Sequence, residues 1–246
     1  MPNATWRRWD GWPADTMTEQ GNGARFGAVP LSCGGTPSSV WLGVAPHPRL
    51  DLSRCRGLIV LSAHPDDETL GLGATIAALA AGGVDVLVVS VSDGGAEYGA
   101  SSGAEQARLE STRRLELRRA TDVLGVRAPM SLGLPDGRLG AHEPQLVEML
   151  TQILSNASEG TWCAATWRGD GHPDHEAVGR AAAAACAIAE MPLLEYPIWM
   201  WHWARPGDPD VPWGRAYAAA APRWARLCKS YAAQCFHSQI EQRDTH

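Results

Sequence analysis

The stretch Gly57-Leu-Ile-Val-Leu-Ser-Ala-His-Pro-Asp-Asp-Glu68 changes character halfway along. Its first half is an unbroken apolar run rich in branched residues. Its second half places one imidazole and three carboxylates in five residues. An apolar run without alternation reads as a strand buried on both faces, and such strands belong to parallel sheets covered by helices. Ligands of those sheets collect beyond the carboxyl ends of the strands. The charged cluster therefore falls where α/β proteins keep their chemistry. Imidazole nitrogen and carboxylate oxygen are both zinc ligands. His64 and Asp67, three residues apart, can aim at one ion from a tight turn, which Pro65 stiffens by fixing one backbone angle. The competing reading makes Asp66, Asp67 and Glu68 caps of a helix starting near Thr69, because acidic residues favour a helix N-terminus.

A second cluster, Trp167-Arg-Gly-Asp-Gly-His-Pro-Asp-His-Glu176, weighs against simple capping. It too follows an apolar run (residues 161–166) and precedes an alanine-rich helical stretch (residues 177–189). His-Pro-Asp thus occurs at 64–66 and again at 172–174, each time between a predicted strand and a predicted helix. Two such turns facing each other over one sheet supply three nitrogen and oxygen ligands and leave a position for water, as catalytic zinc sites do. His47, His142, His237 and His246 lie outside both turns and read as surface or structural residues.

Ala63-His-Pro-Asp-Asp-Glu68 with His172-Pro-Asp-His175 resembles the signature of the PIG-L/LmbE-like deacetylases. These are zinc-dependent enzymes that remove an acetyl group from N-acetylglucosamine units of larger glycoconjugates. Val91-Ser-Asp-Gly94, Arg113-Arg-Leu-Glu116 and Leu132-Gly-Leu-Pro-Asp-Gly137 resemble further family segments, in order, over roughly residues 56–240. The resemblance implies one Zn2+ per chain, with His64, Asp67 and His175 as metal ligands. Asp66 cannot easily share the ion with Asp67, because consecutive side chains diverge, and is placed as general base on the attacking water. His172 is placed to stabilise the oxyanion or to protonate the departing amine. Asp174 is expected to orient one of the histidines, and Asp93 to support the metal turn or the sugar. Arg113 and Asp136 match positions that contact sugar hydroxyls. Arg113 could instead pair with Glu110 or Glu116 on its own helix, and Asp136 could merely start a turn before Gly137. Asp170 departs from some family members, which carry an aromatic residue nearby.

The whole chain suits this reading. Its 246 residues are enough for one large α/β domain. The net charge of −6 argues against nucleic acid or an anionic membrane as partner. The six cysteines are scattered without Cys-x-x-Cys spacing, which points to buried reduced thiols. With no apolar segment long enough to span a bilayer and a polar N-terminus carrying Trp6 and Trp9, a cytoplasmic location is expected. The implied partner is a small amino-sugar glycoconjugate, and the oligomeric state is not legible.

Strands are predicted over residues 57–63, 84–91, 129–134, 161–166 and 193–203. Helices are predicted over 69–81, 105–124, 143–156, 177–190 and 222–239. Their alternation predicts an α/β fold: a three-layer, Rossmann-like, mostly parallel sheet with helices on both faces. Residues 92–103, rich in Gly, Ser and Ala, read as a mobile loop able to act as a lid. Residues 1–55 read as an irregular arm packing tryptophans on the main domain, residues 56–246. Within the arm, Val40-Trp-Leu-Gly-Val44 is a short apolar island suited to an edge strand or a helix cover. In the predicted strand 193–203, Trp199, Trp201 and Trp203 recur every second residue and would share one face, either as core or as a sugar-stacking wall. A non-catalytic glycan- or nucleotide-binding protein with a structural metal is the alternative, as is a family amidase acting on a larger amide. Gly71-x-Gly73 after a strand is a weak nucleotide signal that lacks its third glycine.

Overall fold

The computed structural model describes residues 21–96 and 102–240. Expectations for Trp6, Trp9 and His246, and for the middle of the 92–103 loop, fall outside the described residues. Five strands form one sheet: β1 Gly57–Ser62, β2 Asp85–Ser92, β3 Met130–Leu134, β4 Thr161–Thr166 and β5 Leu193–Tyr196. The helices, in chain order, are α1 Gly23–Gly27, α2 Ser38–Leu42, α3 Asp67–Ala81, α4 Gly103–Leu124, α5 Glu143–Ser155, α6 Pro173–Ile188, α7 Met200–Trp203, α8 Arg223–Ala233 and α9 His237–Ile240.

Every residue of β1 is buried, as the uninterrupted apolar run requires. Its side chains alternate between two cores. Leu58 and Val60 join Ile76 of α3, Leu117 and Leu124 of α4, Ala225 of α8 and Phe236. Ile59 and Leu61 join Leu146, Leu150 and Leu154 of α5 and Val178 of α6. The spacing of four between those α5 leucines puts them on one helical face. The molecule is therefore a three-layer α/β/α sandwich, as the alternating pattern predicts.

The strand order is β3-β2-β1-β4-β5, and every neighbouring pair is parallel. From β1 the chain winds outward through β2 to β3. It then returns to the other side of β1 for β4 and β5. That reversal leaves a crevice beyond the carboxyl ends of β1 and β4, the place where such sheets take ligands. The turn after β1 carries His64 to Asp67, and the turn after β4 carries Trp167 to His175.

Three local expectations need correction. The predicted strand 193–203 ends at Tyr196, and Met200–Trp203 is helical. Pro197 cannot donate to the ladder, and the next three N–H groups, of Ile198, Trp199 and Met200, all bond the Asp170 carboxylate at 2.8, 2.9 and 3.0 Å. Trp199 and Trp203, four apart, then turn towards one small core with Trp167 and Met200, while Trp201 is 44 % exposed. The island at 40–44 does not join the sheet: its first three residues end the single-turn helix α2, and Leu42 is 86 % exposed. The predicted helix 222–239 breaks after α8 so that Phe236, 2 % exposed, can enter the core. Glu116 then takes the N–H and hydroxyl of Ser238 at 2.8 and 2.6 Å and starts α9.

Candidate active site

Three predicted ligands converge although they come from turns over a hundred residues apart. His64 Nδ1 lies 3.2 Å from His175 Nε2 and 3.6 Å from Asp67 Oδ2, and His175 Nε2 lies 3.4 Å from Asp67 Oδ1. Four donors around a tetrahedral ion with bonds of about 2.0–2.1 Å are separated by about 3.3–3.4 Å. The hydrogen bonds behind the rings fix which nitrogens face inward. His175 Nδ1 is 2.8 Å from Asp170 Oδ2, and His64 Nε2 is 3.0 Å from Asp136 Oδ1 and 3.4 Å from Asp174 Oδ2. With each outer nitrogen donating its proton to a carboxylate, both inner nitrogens can offer lone pairs to an ion shared with Asp67 once any second proton has left. Such a donor set suits a cation. His64, Asp67 and His175 fit a divalent metal ion.

Charge follows the same geometry. Burial opposes ionisation of Asp67, but His175 and His64 outweigh it and hold the carboxyl well below the usual carboxylate range. Burial disfavours a charged His64, but Asp136, Asp174 and Asp67 outweigh it and raise the imidazole well above its ordinary range. Metal binding at Nδ1 must displace that proton. A second set of possible donors, His64, Asp136 and Asp174, has a simpler role. Asp174 accepts the N–H groups of Gly137 and Leu139 at 2.7 and 3.0 Å, Asp136 accepts that of Ala96 at 2.9 Å, and both orient His64.

Asp66 lies outside the ligand set. It precedes α3 but makes no side-chain cap to that helix. Burial, then the charge of Asp67, push its carboxyl well above the usual range, against the pull of Arg113. Across the crevice, His172 lies with its ring 5.1 Å from that of His64 and 4.8 Å from that of His175. Burial and those two imidazoles hold it down at about 4, so it is neutral near pH 7. Its Nδ1 accepts the Asp174 N–H at 3.3 Å and caps α6, which leaves the proton on Nε2.

The other predicted residues divide between the site and its support. Arg113 is 3 % exposed. Its guanidinium reaches off its own helix, donates to the carbonyls of Gly94 and Pro65, each at 3.1 Å, and approaches Asp66 Oδ2 at 3.5 Å. Gly94, at φ 68°, makes room for it: a Cβ there would lie 2.3 Å from Arg113 Nη1. Asp93 turns to the fold, with Arg114 Nη1 2.5 Å from one oxygen and the Ser131 hydroxyl 2.6 Å from the other. It braces β2 against α4 and β3 and does not reach the metal group.

Two residues matter more than their sequence context showed. Asp170, fully buried, takes four donors on one carboxylate: three backbone N–H groups leading into α7 and the His175 ring. Its backbone carbonyl also accepts from Trp203 Nε1 at 2.7 Å. Its position five residues before His175 and two before His172 was the available signal. Phe26, from the arm, stands 6.0 Å from the His172 ring and 5.1 Å from that of Trp199. No local pattern marks it. The arm docks through Asn22, whose N–H reaches Glu176 at 2.8 Å and whose amide reaches the Gly169 carbonyl at 2.8 Å, and through Arg25, paired with Asp208 and Asp210.

Comparison with known proteins places the chain among relatives. The family model described as PIG-L, GlcNAc-PI de-N-acetylase, matches residues 59–186, just over half of the chain and the span that holds both His-Pro-Asp turns. A diacetylchitobiose deacetylase of Thermococcus kodakarensis is 32% identical over 137 residues, 55% of this chain and 51% of that protein. A 1D-myo-inositol 2-acetamido-2-deoxy-alpha-D-glucopyranoside deacetylase of Thermobifida fusca is 30% identical over 203 residues, 68% of this chain and 63% of that protein. The chain thus spans between about half and two thirds of the length of these curated relatives. The solved N,N'-diacetylchitobiose deacetylase of Pyrococcus horikoshii shares the fold, with a TM-score of 0.57 at 22% identity over 78% of this chain and 73% of that one. With the paired turns at the switch point of the sheet and a family model that spans them both, the chain belongs to the PIG-L family.

Proposed function

We propose that the protein is a zinc-dependent hydrolase that removes the acetyl group from an N-acetylglucosamine, or related N-acyl amino-sugar, moiety of a small glycoconjugate. The observation that carries this reading is the set of three inward-facing donors with one largely buried carboxylate, Asp66, and one neutral imidazole, His172, beside it. An amide is a poor electrophile and water a poor nucleophile near neutrality. A zinc ion held by His64, Asp67 and His175 supplies Lewis acidity to a carbonyl oxygen and acidifies water. Asp66 takes the proton from the attacking water. His172, with its proton on Nε2, donates to the developing oxyanion or to the leaving nitrogen. Asp174 and Asp170 keep the two metal-binding rings in the required tautomers.

Asp136 is proposed to meet sugar hydroxyls; Arg113, 3 % exposed and donating to the carbonyls of Gly94 and Pro65, is assigned to the support of the turn and not to the sugar contact its sequence position suggested. Phe26 and Trp199, with ring centroids 6.0 and 6.4 Å from that of His172, are proposed to offer aromatic faces to a pyranose ring or to the aglycone. Residues 1–55 are proposed to be an arm of the same body, and residues 56–246 its catalytic domain. Six free cysteines among the described residues accord with a reducing, cytoplasmic setting, and no described helix is long and apolar enough to cross a membrane.

The test is acetate release by the zinc-loaded protein from a panel of N-acetylglucosaminides, including N,N'-diacetylchitobiose and an inositol-linked N-acetylglucosamine. Release from at least one member is expected. Stoichiometric zinc with no release from any member would favour a binding protein, although such a protein has no need of a base beside its metal.

A further inference from the structure

The peptide group that joins Pro65 to Asp66 is held from both sides. Its carbonyl oxygen accepts from Arg113 Nη2 at 3.1 Å, and its N–H donates to Glu68 Oε2 at 3.2 Å. Asp66 itself sits at φ 136° and ψ −29°. It and Glu190 are the two non-glycine residues with positive φ among the described residues. A residue with a Cβ adopts that region only where its surroundings impose it. The surroundings here are built for it. Glu68 is fully buried, and its other oxygen accepts from the Thr69 hydroxyl at 2.5 Å. Arg113 is anchored in turn by the Gly94 carbonyl. The turn after β1, the end of β2 and α4 therefore converge on one peptide plane.

An aspartate placed just before a helix ordinarily spends its carboxylate on the first helical N–H groups. Asp66 makes no such bond, because the flipped peptide turns its side chain elsewhere. We propose that Glu68, opposite Arg113, is a positioning residue: the two clamp the 65–66 peptide and so aim the Asp66 carboxylate at the reacting water. The assignment rests on the reading of Asp66 as the general base. The Glu68 carboxylate reaches back past the start of the helix, taking the Asp66 N–H of the preceding turn at 3.2 Å as well as lying against its own N–H.

Methionine has the length of glutamate but no comparable acceptor, and glutamine keeps a carbonyl oxygen. Glu68→Met, Glu68→Gln, Asp66→Asn and the double variant Asp66→Asn/Glu68→Met are compared for bound zinc, kcat and KM on the best substrate of the acetate-release panel. Crystal structures of the zinc-loaded Glu68 variants are read for φ at residue 66. Glu68→Met is expected to return residue 66 to negative φ and to lower kcat at least tenfold, with KM and zinc content nearly unchanged. Glu68→Gln is expected to keep the peptide orientation and restore most of kcat. Arg113→Met should act in the direction of Glu68→Met. In the Asp66→Asn background, Glu68→Met should cost nothing more, because the two act as one unit. Should Glu68→Met not fold, Glu68→Asp, one methylene shorter, gives the same readings. An unchanged φ with full kcat in the Glu68 variant, or an additive loss in the double variant, would overturn the clamp. Full kcat in Asp66→Asn would overturn the base instead, and the crystallographic reading of the clamp would still stand by itself.

Discussion

Adjacent side chains in the turn after β1 are proposed to carry opposite duties, and the roles separate by experiment. Asp67 faces both ligand histidines, so Asp67→Asn should lose zinc and activity together. Asp66→Asn keeps the ligand set, so zinc should stay while kcat falls by about 10²–10⁴, the usual worth of a general base. His172→Ala should resemble Asp66→Asn, and His175→Ala should resemble Asp67→Asn. Metal content and kcat measured on the same four purified variants decide the matter. Zinc lost from Asp66→Asn but kept by Asp67→Asn would mean that the two roles are reversed. Asp170 extends the pattern outward. Its amide variant, Asp170→Asn, keeps one oxygen for four donors. Zinc affinity by chelator competition is expected to drop about 10–100-fold, as for other groups that orient metal-binding histidines. Unchanged affinity would show that His175 keeps its tautomer without Asp170.

At the scale of elements, the short helix α7 joins the metal site to the arm. Asp170 draws in the three N–H groups that lead into it, and the helix turns Trp203 into a small core beneath Arg25, whose guanidinium lies 5.1 Å from the indole. Its aromatic residues should therefore respond differently to truncation. Trp203, 5 % exposed, should lose ~3–5 kcal/mol of stability on change to Ala. Trp201→Ala should move the melting temperature least. Trp199→Ala and Phe26→Ala should raise KM more than they lower stability, because both rings flank His172. Melting curves alongside steady-state kinetics give the comparison, and an unchanged KM in both would remove the aromatic wall from the substrate site.

For the whole molecule, the winding order of the sheet places the site, and the proposed metal would link fold to chemistry. The two His-Pro-Asp turns meet because β4 lies beside β1 rather than beyond β3. An ion bridging these turns binds the folded chain and not the unfolded one, so its removal should lower the melting temperature as well as abolish activity. Zinc should restore both. Binding needs neutral His64 and His175 and an ionised Asp67, so protons compete with the metal and affinity should weaken as pH falls. Because Asp136, Asp174 and Asp67 raise His64 above its ordinary range, that competition should begin at a higher pH than for an unperturbed imidazole. Zinc titrations at a series of pH values, with Asp136→Asn as the control that relieves His64, test the sign. An affinity independent of pH would sink the ligand assignment.

The class of fold and the position of the two turns are written locally in the chain. Continuous apolar runs can only be satisfied between two helical layers, and β1, β2 and β4 are buried accordingly. The repeated His-Pro-Asp after two such runs puts the candidate ligands at strand ends. These features are legible because periodicity and strand–turn–helix punctuation belong to neighbouring residues. Contacts between distant segments settle the rest. The alternation of Trp199, Trp201 and Trp203 reads as a strand until Asp170 takes the three N–H groups that a β-ladder would need. Phe236 breaks the last helix because a core position waits for it, and Glu116 of α4 then caps α9. Arg113 lies against Pro65 and Gly94, and Asp66 is held at positive φ, because a buried carboxylate and a buried guanidinium grip one peptide from opposite sides. A hydrogen bond between residues far apart in the chain leaves no period in the sequence, and it can outweigh the local preference that does.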